Sequence, residues 1–66
     1  MTKELKKLRV DFNLTQLDVA NFLGFKKASS YSRKENGQTE FSQNEIKKLI
    51  KLFDLNLEKA AEIFLT

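Results

Sequence analysis

Apolar residues recur along this chain at three- and four-residue spacing, in short runs separated by polar clusters. Leu5, Leu8 and Phe12 stand at i, i+3 and i+7, one line of a helix covering roughly residues 3–12. Thr2 is placed to cap that helix and Asn13 to end it. A second helix over 15–23 begins at Thr15, whose hydroxyl can accept from a backbone N–H that a helix start leaves unpaired. Leu17, Ala20 and Leu23 recur in it with Val19 and Phe22 beside them, so a face wide enough to bury on two sides is expected. Gly24 follows the last apolar residue, where a residue without Cβ turns most easily into the left-handed region. A third helix over 28–36 meets the same stop signal at Asn36 and Gly37.

Beyond the polar link Gln38, Thr39 and Glu40, Ser42 and Glu45 are spaced as a capping box, with Phe41 and Ile46 spaced as a hydrophobic staple. Ile46, Leu49, Ile50 and Phe53 then form the core face of a helix over 42–53, with Lys47, Lys48 and Lys51 outward. Asn56 caps a last helix over 57–65. Leu57, Ala60 and Phe64 can face the core, and Ala61 and Leu65 cannot all join them, which makes these two the candidate dimer surface. The chain has no proline, no repeat and no low-complexity stretch, so residues 1–66 are expected to form one all-α, five-helix domain.

Composition narrows the chemistry. A chain of 66 residues buries only about 60% of its unfolded surface, so stability should be modest. With no Cys there is no disulfide or thiolate chemistry, and without His or Cys the usual zinc ligands are missing, so no cofactor or metal is expected. No Gly-rich phosphate loop occurs, no Ser has a plausible base beside it, and the carboxylates are scattered, so catalysis is not expected. No apolar run approaches the roughly 20 residues that cross a bilayer, and no signal-peptide h-region opens the chain. The expectation is a cytoplasmic protein with no membrane partner. Residues 1–40 hold eight Lys or Arg against five acids, and residues 41–66 hold four against four. All of the +3 net charge therefore lies in the first part, which suits a polyanion.

The two helices around Gly24 read as a helix-turn-helix, and the residues that carry this reading are also those of a family. LxxLR (Leu5, Leu8, Arg9), LTQ (Leu14, Thr15, Gln16), Ala20, Leu23, Gly24 and ENG (Glu35, Asn36, Gly37) resemble the Cro and phage-repressor type of regulator, XRE-like in kind. The resemblance implies a lambda-repressor-like DNA-binding domain whose third helix reads the major groove, in a phage or mobile-element transcriptional regulator. It also implies phosphate contacts by Gln16 and Asn36 and a structural salt bridge between Arg9 and Glu35. Two departures stand out. One extra residue lies between Gly24 and Gly37, in the turn around Phe25 to Lys27, and Lys27 takes the place of a capping Ser or Thr. Helix 3 then begins either at Ala28 without a side-chain cap, or at Ser30 with Ser29 as its cap. Lys34 stands where the family has an aliphatic core residue, so its stem is expected along the core with its ammonium in solvent.

With Tyr31 pointing into the core and its hydroxyl at the rim, the opposite face of helix 3 presents Ser29, Ser32, Arg33 and Asn36. Arg33 alone among them has the two-pronged donor geometry that matches guanine O6 and N7, the serines can donate or accept, and Ala28 can offer a methyl to thymine. Lys26 and Lys27 in the turn are candidate phosphate contacts, as is Gln16 at a helix N-terminus. The expected partner is double-stranded DNA, bound by two copies as a weak homodimer on a palindromic operator. The alternative is a protein-binding module, an anti-repressor or repressor modulator that grips another regulator with little or no DNA contact.

Overall fold

Five helices follow one another: α1 (Thr2–Asp11), α2 (Gln16–Leu23), α3 (Ala28–Glu35), α4 (Gln43–Leu52) and α5 (Leu57–Phe64). The computed structural model describes residues 2–65, and no strand occurs among them. The Thr2 cap expected for α1 falls on a side chain outside those described.

Local chemistry explains where each helix starts and stops. Thr15 and Asp18 form a reciprocal capping box, the Asp18 N–H donating to Thr15 Oγ1 at 3.0 Å and the Thr15 N–H to Asp18 Oδ2 at 2.8 Å. Ser42 and Glu45 do the same for α4, and Asn56 Oδ1 accepts from the Lys59 N–H to open α5. α3 alone among these four starts without a side-chain cap: it begins at Ala28, with Lys27 in extended backbone before it. Four helices end through left-handed residues, Asn13 (φ 58°), Gly24 (89°), Gly37 (83°) and Asp54 (51°). In each case the next N–H reaches back five residues: Leu14 to Arg9, Phe25 to Ala20, Gln38 to Arg33 and Leu55 to Ile50, at 2.8 to 3.0 Å. These paired closures satisfy the carbonyls that a helix end leaves open. Asn and Asp tolerate that region because a short polar side chain can bond locally. Leu14, Phe25 and Leu55 then fold back onto the core.

That core is Leu5, Val19, Ala20, Leu23, Tyr31, Leu49, Phe53, Ala60 and Ile63. α2 packs most extensively on α3 and also on α4, while α1 touches α3 and α5. The buried arc of α2 is narrower than its apolar composition suggests. Val19, Ala20 and Leu23 lie within about 100° of one another on the helix, and Leu17 and Phe22 fall outside that arc on opposite sides. Both are nearly half exposed, which corrects the expectation of a two-sided apolar face. Phe12 likewise leaves the core line of α1. It lies past the helix end and is exposed on one side, with its ring edge-on to Phe53 at 5.2 Å. In α5 the core takes Ile63, Ala60 and part of Phe64, and Leu57, expected inward, is 90% exposed. The apolar residues of α5 span roughly 200° of its circumference, and one core can cover only one side of that arc. Phe41, just before the α4 cap, meets Tyr31 and Phe64 at ring distances of 6.2 and 6.0 Å.

Candidate nucleic-acid interface

α3 divides cleanly between an inner and an outer side. Tyr31 and Glu35, one turn apart, are wholly buried, while Ser29, Arg33 and Asn36 are exposed on the opposite face with Ser30 along one edge. Ser32 and Ala28 are half-buried at the flanks. Among the described residues no carboxylate pairs with the Arg33 guanidinium, and the residue is exposed, which leaves its N–H donors available to a partner. Asn36 closes the helix, and its amide donates to Ser32 Oγ at 3.4 Å. Lys26 and Lys27 are exposed in the turn that leads into α3.

The inner side is held by charge as well as by packing. Arg9 of α1 donates from Nε to Glu35 Oε2 at 2.8 Å and from Nη2 to Glu35 Oε1 at 3.3 Å, with Nη1 on the Leu14 carbonyl at 2.9 Å. Gln16 adds its Nε2 to Glu35 Oε1 at 3.2 Å. Gln16 reaches inward because it shares the inner arc of α2 with Val19, Ala20 and Leu23. Burial works to raise the Glu35 carboxyl, but the donors around it, Arg9 foremost, outweigh that and hold it below the usual carboxylate range. The carboxylate that could repel phosphates is thereby turned away from the exposed face and neutralised. The Tyr31 hydroxyl, expected at the rim, is instead fully buried near Glu35 and forms no hydrogen bond of ordinary distance and angle. Burial first, and the neighbouring Glu35 second, push its ionisation far above the normal tyrosine value.

Lys34 also differs from expectation. Its ammonium is held rather than free in solvent, donating to Glu45 Oε1 at 2.8 Å and to the Glu40 carbonyl at 3.0 Å. The Phe25 and Phe41 rings lie 5.5 and 5.9 Å from it. A lysine at a core-facing register next to an acid of the following helix, 11 positions on, carries no local signal, and this contact is therefore invisible in the linear pattern. The signal for the Gln16–Glu35 bond was present in the α2 periodicity, in the same arc as Val19 and Leu23.

Away from this face, Ala61 is half-buried and Leu65 is 82% exposed. Together with Ile46, Ile50, Leu57, Ala60 and Phe64 they line an apolar groove between α4 and α5. Among the described residues no group of carboxylates could hold a metal, and no helix is long and apolar enough to cross a membrane. A family model described as helix-turn-helix matches residues 5–59 of the chain. No curated protein and no solved structure matches it.

Proposed function

The chain belongs to the Cro/C1-type helix-turn-helix family, whose domains bind DNA and are not typically enzymes, and on that premise we propose that it is a sequence-specific transcriptional regulator of the phage or mobile-element kind. α3 reads the major groove. The observation that carries this reading is the sidedness of that helix: Arg33, Ser29 and Asn36 are exposed on one face while Tyr31 and Glu35 anchor the other. An inserted helix can read base edges only with such an outward row. Arg33 takes a guanine edge, Ser29 and Ser32 adjust to neighbouring bases, and Ala28 meets a thymine methyl. Lys26, Lys27 and Asn36 hold the phosphates, joined by Gln16 through the amide N–H that Glu35 does not use.

Two copies bind a palindromic operator as a weak homodimer, and the α5 face bearing Ala61, Leu65 and the exposed Leu57 supports that pairing. A second reading, a module that grips another regulator protein, is favoured by the same apolar face and by the missing α3 cap. Selection of bound duplexes from a random pool separates the two. The DNA reading expects an enriched motif, affinity that falls steeply with salt, and Arg33→Ala costing about 1–3 kcal/mol at one base position. Affinity and base preference that survive Arg33→Ala overturn it, and sedimentation of one protein per duplex removes the dimer.

A further inference from the structure

The last turn of α3 is gripped from two sides by consecutive residues of opposite charge. Glu35 is held by Arg9 of α1 and Gln16 of α2, and Lys34 by the start of α4. The α4 grip is economical in atoms. Glu45 Oε1 accepts at once from Lys34 Nζ at 2.8 Å and from the Ser42 N–H at 2.9 Å, so one oxygen serves both the recognition helix and the cap of α4. The same ammonium bonds the Glu40 carbonyl in the link between those helices, and two phenyl rings stand near it. The Lys34 and Glu45 side chains keep only 19% and 17% of their surface exposed. An apolar residue here would fill the same space without direction. An ion pair with a shared acceptor holds only over a narrow range of angles.

The N-terminal end of α3 has no side-chain cap. Packing on α2 holds the helix along its length, and the side-chain bonds that tie it to other helices gather at its last turn, next to Arg33. We propose that Lys34 is a positioning residue: through Glu45 and Glu40 it fixes how α3 sits against α4, and so the pose from which Arg33 projects. Its role in binding rests on the DNA reading above, whereas its role in ordering α3 does not.

The test uses Lys34→Met, which keeps a stem of similar size and removes the ammonium, and Glu45→Gln, which can still close the cap. Amide hydrogen exchange in α3 is expected to speed up by about tenfold in both variants relative to amides of α1 and α2, with the rest of the fold intact. Wild-type protection of α3 in both variants overturns the proposal. On a duplex selected by the wild type, Lys34→Met is expected to lose about tenfold in affinity with an unchanged salt slope. A slope lower by about 0.9 means that Lys34 is itself a phosphate contact, and unchanged affinity means that the pose does not depend on it; either result overturns the proposal. If the wild type selects no duplex, the DNA reading fails and the exchange measurement still decides the role of Lys34.

Discussion

Removing the Glu35 carboxylate is expected to bring this chain close to unfolding. The side chain is 1% exposed and accepts two bonds from Arg9 and one from Gln16. Glu35→Ala leaves the Arg9 guanidinium, itself only 11% exposed, without its counterion. Breaking a buried pair from one side typically costs about 3–5 kcal/mol, because the remaining charge stays desolvated. A domain of 66 residues has on the order of 3–10 kcal/mol in total, so the loss is a large share of it. Urea titration followed by far-UV circular dichroism measures this directly, with the midpoint falling and the slope little changed. The double variant Arg9→Met/Glu35→Leu removes both charges and is expected to recover to within about 1 kcal/mol of wild type, since apolar replacement of a buried pair is often near neutral. A loss below about 1 kcal/mol in Glu35→Ala would show that Arg9 swings to water at little cost. A double variant as unstable as the sum of the singles would show that the cost does not come from an orphaned charge.

Three further outcomes follow from the same geometry. Tyr31→Phe deletes a buried hydroxyl that makes no hydrogen bond of ordinary distance and angle and is expected to leave thermal stability unchanged or raise it by up to about 1 kcal/mol; a clear loss would reveal a bond from that hydroxyl to the neighbouring Glu35. Glu35 and Glu45 both have carboxyls held below their ordinary values, so their stabilisation is complete above the unfolded-chain value of about 4.3 and is lost as pH falls through the lower folded values; unfolding free energy measured from pH 7 to pH 2 should decline in the acid range, and less so in Glu35→Gln. Gly24→Ala meets nothing within 4 Å of the added Cβ but sits at φ 89°, so backbone strain alone should cost about 1–2 kcal/mol, and a neutral result by urea titration would show that the turn relaxes.

Most of the architecture could be read from the linear chain because it is written in local chemistry. Thr15, Ser42 and Asn56 cap the helices they precede, Gly24 and Gly37 close the helices they follow, and the five helices appear in the expected order. Each of these signals involves residues within four or five positions of one another, so the sequence by itself contains the whole interaction. Of the outward row expected on α3, Ser29, Arg33 and Asn36 were legible for the same reason, once Tyr31 defined the inner side, whereas Ser32, expected on that row, lies half-buried at its flank.

What the linear pattern could not decide is which part of an apolar arc the rest of the molecule covers. Leu17, Phe22 and Leu57 have the composition of core residues and lie exposed, because burial depends on where a neighbouring helix passes. The two ion pairs that grip α3 join residues 26 and 11 positions apart, Arg9 to Glu35 and Lys34 to Glu45. Family resemblance implied the first, and only the packed helices revealed the second. A charge at a core-facing position becomes tolerable when the fold delivers a counterion and excludes water around it, and that condition belongs to the tertiary structure rather than to any stretch of chain.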